Sequence, residues 1–109
     1  MANGLISVGL ALPTTGSGFA DVYTSPAGKT SVAYRATINY TGTPTTATVT
    51  LNIVLGGTTF LLTSMEVGKK VPYFLSLGEV LAAGDKIEAV CTDSGATLIL
   101  SLSVEDAGV

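Results

Sequence analysis

Apolar and polar residues alternate with a period of two along much of this 109-residue chain. In residues 97–104 every second position is Leu or Val, and Thr or Ser fills most of the positions between them. Successive side chains of a β-strand point to opposite sides of the sheet, so this pattern is typical of a strand with one buried face. Two such segments, 97–104 and 46–55, provide the predicted core residues Leu98, Leu100, Leu102, Val104, Val49, Leu51, Ile53 and Leu55.

The same pattern, interrupted by turn-forming residues, predicts eight strands and no convincing helix. The predicted strands cover residues 5–12, 19–24, 31–40, 46–55, 58–65, 70–77, 86–92 and 97–104. Gly56 and Gly57 predict a two-residue hairpin turn. Pro72 predicts a sheet edge or a bulge, because proline has no N–H to donate to a neighbouring strand. One helical turn over residues 77–83 is the alternative for that segment.

Residues 31–40 form the predicted strand with the clearest division between two faces. Alternation places one set of side chains together: Val32, Tyr34, Ala36, Ile38 and Tyr40. The opposite face carries Ala33, Arg35, Thr37 and Asn39. The first set is predicted to face the core or an interface.

Eight short strands at spacings of roughly ten residues indicate an all-β fold, a two-sheet β-sandwich of the jelly-roll type. A fibronectin-like or immunoglobulin-like sandwich is the alternative, although the chain has no Trp to supply the immunoglobulin landmark. We expect one domain with an N-terminal strand or arm (1–20), a sandwich core (21–105) and a short tail (106–109).

The composition is 47% apolar and only 12% charged, and residues 41–63 carry no charge. A strand pair this apolar must be covered by a second sheet or by a neighbouring subunit. The net charge of −3 argues against a nucleic-acid partner, which would require clustered Lys and Arg. No apolar run approaches the ~20 residues of a membrane helix, and no export signal is evident, so we expect synthesis in a cytoplasm and no membrane partner.

The chain offers little chemistry for catalysis. Histidine is absent, which removes the commonest general base and most zinc sites. The single cysteine, Cys91, alternates with Ile87 and Ala89 and is predicted to be a small buried residue. Residues 28–30 match the end of a phosphate-binding loop, but the preceding glycine of that motif is replaced by Tyr23. We therefore expect no enzyme activity, no catalytic residues, no metal site and no cofactor.

Three segments resemble small accessory virion proteins of tailed bacteriophages. They are Tyr-x-x-Pro-Ala-Gly-Lys-Thr at residues 23–30, Leu-x-Ala-Gly-Asp-x-Ile at residues 81–87, and the strand end at residues 101–105. A Thr- and Val-rich hairpin lies between the first two, and the resemblance covers residues 22–105. Proteins of this kind include jelly-roll decoration (cement) proteins.

The resemblance implies a structural virion protein that sits on the capsid exterior as a homotrimer and clamps neighbouring capsomers. Its implied partners are other copies of the chain and the major capsid protein. A phage tail, neck or fibre component is one alternative. A sugar- or host-surface-binding β-sandwich module is a second alternative of a different class.

Arg35, Tyr34 and Tyr40 are the predicted interface residues. Arg35 is the only arginine of the chain and the only charged residue of its strand. Arginine is favoured at interfaces because its planar guanidinium pairs with carboxylates through two hydrogen bonds. The predicted partners of Arg35 are Glu79, Asp85 or Asp93, in the same or an adjacent subunit, and a solvated outer face is the alternative.

Overall fold

The computed structural model describes residues 4–69 and 71–106. They form eight strands and one short 3-10 helix, η1 (Thr15–Ser17). The strands are β1 (Gly4–Ala11), β2 (Ala20–Thr24), β3 (Lys29–Tyr40), β4 (Thr46–Leu55), β5 (Thr58–Gly68), β6 (Tyr73–Leu81), β7 (Lys86–Cys91) and β8 (Ala96–Asp106).

The strands form two antiparallel four-stranded sheets. The front sheet has the order β1-β8-β3-β6, and the back sheet has the order β2-β7-β4-β5. Every connection except the β4–β5 hairpin crosses from one sheet to the other, as in a jelly roll. The predicted eight-stranded β-sandwich is therefore confirmed.

The core lies between the sheets and consists of the inward side chains of both. Its fully buried members include Ile38, Val49, Leu51, Ile87, Ala89, Cys91, Leu98, Leu100 and Leu102. The alternation predicted for β4 and β8 is confirmed, with Leu55 half-buried at the end of β4. Cys91 is a buried free cysteine, as predicted.

The segment after Pro72 is a strand, and the alternative helical turn does not form. β6 continues from Tyr73 to Leu81 and pairs with β3 on one side only. The edge position predicted from Pro72 is confirmed, and the proline lies just before the strand. Lys70, the predicted first residue of this strand, lies outside the described residues.

A β-bulge in β3 corrects the predicted division of its side chains. The register of β3 shifts between Ala33 and Arg35 relative to both β8 and β6. The extra residue reverses the alternation, so Ala33 and Ala36 both face the core. Tyr34 is exposed and Val32 points outward, and the prediction that these two share the face of Tyr40 is wrong.

The terminal segments belong to the front sheet. β1 pairs with β8 along its whole length, from Gly4 opposite Val104 to Ala11 opposite Thr97. β8 continues to Asp106, whose carboxylate forms an ion pair with Lys29. Residues 107–109, the rest of the predicted tail, lie outside the described residues.

Asp85 fixes the turn between β6 and β7 to its neighbours. Its carboxylate accepts hydrogen bonds from the backbone N–H of Gly56 at 2.9 Å and of Ala82 at 3.1 Å. Its backbone carbonyl accepts from the N–H of Ser25 at 2.8 Å. One residue thereby connects the β4–β5 hairpin turn, the β6–β7 turn and the segment between β2 and β3.

Tyr40 connects the opposite end of the sandwich to the β7–β8 turn. Its side chain is 1% exposed, and its hydroxyl donates a hydrogen bond to Asp93 Oδ2 at 2.8 Å. Burial of the phenol, together with this hydrogen bond, raises the pKa of Tyr40 to about 12. Both effects favour the protonated phenol in the folded state.

This environment predicts a loss of stability at alkaline pH. The stabilisation from the raised pKa is fully present below the unfolded-state pKa of about 10, and it is lost as pH rises through about 12. We expect the melting temperature of the wild-type protein to fall between these pH values. The fall should be shallower for Tyr40→Phe, whereas Tyr34→Phe, which removes an exposed hydroxyl, should match the wild type.

The measurement is thermal melting between about pH 8 and about pH 12. The pKa of Lys86 is also raised, by its hydrogen bond to Asp21. Its contribution to the pH dependence of stability is the same in all three proteins. Equal slopes for the wild type and Tyr40→Phe would contradict the assignment to Tyr40.

Candidate contact surface on the front sheet

Hydrogen-bonded polar side chains lie on the outer face of the back sheet, together with the exposed Leu61, which pairs in register with Asn52. Asn52 donates a hydrogen bond to Glu88 at 3.2 Å, and Thr50 and Ser64 share a hydrogen bond at 3.2 Å. Lys86 also forms an ion pair at 2.8 Å with a carboxylate of β2. This surface therefore combines hydrogen-bonded polar groups and charges of both signs with the exposed Leu61.

The outer face of the front sheet, called the front face, has a different character. Its large apolar side chains are exposed: Leu5, Tyr34, Phe74, Val80 and Ile99. Leu5 is 80% exposed, Phe74 is 64% exposed and Val80 is 58% exposed. Most of the side chains between them are Ser and Thr.

Strand pairing arranges the front face in rows across the sheet. The central row consists of Leu5, Ser103, Val32 and Val80. The row on one side consists of Ser7, Ser101, Arg35 and Ser76. The row on the other side contains Glu105 opposite Thr30. Arg35 and Glu105 are the charged side chains of this face among the described residues.

The Arg35 side chain lies across the neighbouring strand β6. Its guanidinium carbon is 5.6 Å from the centre of the Phe74 ring, which is a cation–π distance. Such a contact at an exposed site contributes about 0.5–1 kcal/mol. The guanidinium has five N–H donors, and a cation–π contact does not require any of them to be used in a hydrogen bond.

Tyr34 separates two shallow hollows on the front face. The bulge points its ring outward, and its hydroxyl lies 3.3 Å from Ser103 Oγ. The larger hollow, of about 460 Å³, is lined by Leu5, Ile6, Ser7, Tyr34, Arg35, Ser101 and Leu102. The smaller, of about 280 Å³, is lined by Gly4, Leu5, Tyr34, Ser103 and Glu105. One hollow therefore contains the cation of the face and the other contains its anion.

The structure brings together Tyr34 and Arg35 and places Tyr40 elsewhere. Tyr34 and Arg35 are adjacent and exposed on the front face. Tyr40, by contrast, packs in the core of its own chain. The use of Tyr34 and Arg35 at an interface stays a prediction.

The three acidic residues suggested for Arg35 have other positions within the chain. The Asp85 carboxylate accepts a hydrogen bond from the backbone of the β4–β5 turn, and the Asp93 carboxylate accepts one from the Tyr40 hydroxyl. Glu79 pairs in register with Ala33, which faces the core. The Glu79 side chain therefore lies on the core side of the front sheet and not on the front face. In the described part of the chain, Arg35 forms no ion pair.

The sequence pattern did not identify Leu5, Phe74, Val80 or Glu105 as members of this surface. They come from three strands, and only strand pairing shows that they share a face with Arg35. The available signal was weak: only Val80 and Glu105 stand next to a buried residue, Leu81 and Val104 respectively.

Other kinds of site find no support in residues 4–69 and 71–106. No group of three or more Cys, Asp or Glu side chains is arranged to hold a metal ion in these segments. No helix among them has the length and apolar character needed to cross a membrane.

Comparison with known proteins supports the fold. No family model matches the chain, and no curated protein matches it in sequence. A solved structure of Bacillus endospore appendages, described as disulfide-linked pili, has a TM-score of 0.57 at 14% identity over 94% of this chain and 84% of that chain. The nucleoplasmin-like N-terminal domain of Drosophila FKBP39 has a TM-score of 0.54 at 14% identity over 96% and 95%.

Similar structures also include viral capsid proteins. One is a pentameric capsid protein from metagenomic phage sequences, with a TM-score of 0.44 at 16% identity over 92% of this chain and 59% of that chain. At such identities the likeness shows the β-sandwich fold alone, and a TM-score this low supports no argument about function.

Proposed function

We propose that this chain is a structural virion protein that decorates a bacteriophage capsid and stabilises it by clamping neighbouring capsomers. In this proposal it is made in the host cytoplasm, it acts on the capsid exterior, and it is not an enzyme. The observation that carries the proposal is the front face, a surface with exposed apolar side chains and very little charge.

The front face has the composition of a protein–protein contact. The central parts of such contacts are depleted in charged residues and enriched in aromatic residues and Arg. Tyr34, Phe74 and Arg35 supply these residue types on one side of a rigid sheet. The back face, with its internal hydrogen bonds and ion pair, is the surface better suited to remain in water.

The partners in this proposal are other copies of the chain, as a homotrimer, and the major capsid protein. The trimer comes from the resemblance to decoration proteins. Closed cyclic symmetry also prevents the growth of open fibres from exposed strands. Tyr34 and Arg35 are the proposed contact residues.

The function is tested by adding the purified protein to particles of the encoding virus that were assembled without it. We expect saturable binding to intact capsids and increased resistance of the capsids to heat and to chelator. Binding only to tails or fibres would favour the alternative of a tail, neck or fibre component. A protein that binds neither capsids nor tails would contradict the virion proposal.

A sugar- or host-surface-binding module is the second candidate, favoured by the position of Tyr34. An exposed tyrosine between two shallow hollows lined by Ser side chains could stack on a sugar ring and hydrogen-bond its hydroxyls. Binding of the purified protein to a glycan array, abolished by Tyr34→Ala, would support this candidate.

A further inference from the structure

We infer that two copies of this chain pair edge to edge through β1, in an antiparallel register that places Val8 opposite Val8 of the other copy. The two front sheets then form one continuous antiparallel sheet. This inference concerns the edge of the front sheet and not the front face. It goes beyond the proposed function, because the pairing does not depend on a capsid.

β1 is the edge strand that lacks protection against pairing. The sandwich has four edge strands, β1, β6, β2 and β5. A register shift interrupts the pairing of β2, β5 and β6, and these three strands also carry the acidic residues Asp21, Glu66 and Glu79. β1 pairs with β8 without any shift, and it contains neither a charged residue nor a proline. Bulges, charges and prolines keep edge strands from pairing, so β1 is the edge most open to another strand.

The unused backbone groups of β1 belong to its odd-numbered residues. Leu12 continues the β1–β8 register by one residue, and its N–H donates to the carbonyl of Ala96 in β8 at 2.8 Å. In an antiparallel pair every second residue bonds to the neighbouring strand, so the even-numbered residues of β1 bond to β8. The residues whose N–H and C=O point away from β8 are Leu5, Ser7, Gly9 and Ala11. The described part of the chain offers these groups no backbone partner.

A two-fold axis at Val8, perpendicular to the sheet, uses all of these backbone groups. It places Leu5 opposite Ala11 of the other copy, and Ser7 opposite Gly9. Each opposed pair of this kind exchanges two N–H···O=C hydrogen bonds. Registers centred on Ser7 or on Gly9 would pair only three of the four residues within β1. The register centred on Val8 is therefore the one that the free edge favours.

The side chains of β1 fit this register as well. On the outer side, the large side chain of Leu5, which is 80% exposed, lies opposite the small Ala11. On the core side, Ile6, which is 40% exposed, lies opposite Leu10, and Val8 contacts Val8. A two-fold axis brings identical strands together, so any charge near it would approach its own copy. Because β1 carries no charge, no such repulsion arises. The edge is thereby complementary to itself.

The pairing leaves the front face accessible. Since the axis is perpendicular to the sheet, the front faces of the two copies lie side by side and point in the same direction. Backbone hydrogen bonds stabilise such an edge contact more than buried apolar area does, so we expect weak association, at high micromolar concentration. In the proposed trimer, β1 would join neighbouring trimers. A protein that stays monomeric, or purely trimeric, up to millimolar concentration would overturn the pairing and leave the proposed function intact.

Proline substitution tests the backbone contact, with sedimentation velocity across micromolar to millimolar concentrations as the measurement. Ser7→Pro removes one N–H of the free edge in each copy and keeps the hydrogen bonds to β8, a position where strands tolerate proline. We expect it to weaken the two-fold association by at least about tenfold. Ser7→Ala is the matched control: it keeps the N–H and should associate like the wild type. Thermal melting checks that both variants fold. A folded Ser7→Pro variant that associates like the wild type would overturn the proposal.

Disulfide formation tests the register and does not require a proline. Val8→Cys should link to its own counterpart on oxidation, because the two Cα atoms lie about 4.5 Å apart across the axis. Ile6→Cys, on the same strand and the same side, is the matched control. Its counterpart lies opposite Leu10, about 14 Å away, and should not link. Cys91 is buried and does not interfere. Linking of both variants or of neither would overturn the register.

Discussion

Replacement of Leu100 by alanine should lower the free energy of unfolding by about 3 kcal/mol. Leu100 lies in β8, with β1 on one side and β3 on the other, and its side chain is completely buried. Its register partners Val8 and Ala36 are held by the same sheet, so the surrounding structure can collapse only partly into the space that the leucine leaves. The cost therefore includes a cavity as well as the lost transfer free energy.

Urea unfolding at neutral pH measures this difference. Leu61→Ala is the matched control, because Leu61 is 65% exposed on the edge strand β5, and it should change the free energy by less than about 0.5 kcal/mol. Equal effects of the two substitutions would show that β8 is not the centre of the core.

The second largest expected effect is that of Gly95→Ala, which should lower the free energy of unfolding by about 3 kcal/mol. Gly95 has φ of +106°, a backbone conformation that L side chains rarely adopt. A Cβ added there would also lie 2.8 Å from the backbone Cα and N of Gly42. Backbone strain and overpacking each cost about 1–3 kcal/mol, and here both apply at a position where only backbone could move aside.

Gly57→Ala separates these two contributions. Gly57 also has a positive φ, +84°, but a Cβ there would meet no atom within 4 Å. Its substitution should cost about 1 kcal/mol, the cost of backbone strain alone. A Gly95→Ala variant as stable as Gly57→Ala would mean that the β3–β4 and β7–β8 turns do not pack tightly against each other.

Local patterns were sufficient to predict the strands. Period-two alternation and turn residues identified all eight, because each strand of the sandwich buries one face against the other sheet. The β4–β5 hairpin was predicted from Gly56 and Gly57, which both adopt positive φ in the turn. The helical alternative after residue 77 failed because β6 pairs with β3, and this tertiary pairing is not visible in the local sequence.

The candidate surface was much less predictable. A single-residue bulge in β3 reversed the side of Tyr34 relative to Tyr40, and no turn residue in the sequence marks the bulge. The row that contains Leu5, Ser103 and Val80 joins strands from the two ends and the middle of the chain. Register between distant strands depends on the packing of the whole sandwich, so one sequence could not show that Arg35 and Glu105 share a face.

In the proposed function, the chain is a component of a capsid exterior. A difference map between cryo-electron microscopy reconstructions of particles assembled with and without the chain tests it most directly. The proposed function predicts additional density of the size of this β-sandwich at regular positions on the outer surface of the capsid. Identical capsid surfaces in the two reconstructions would contradict it.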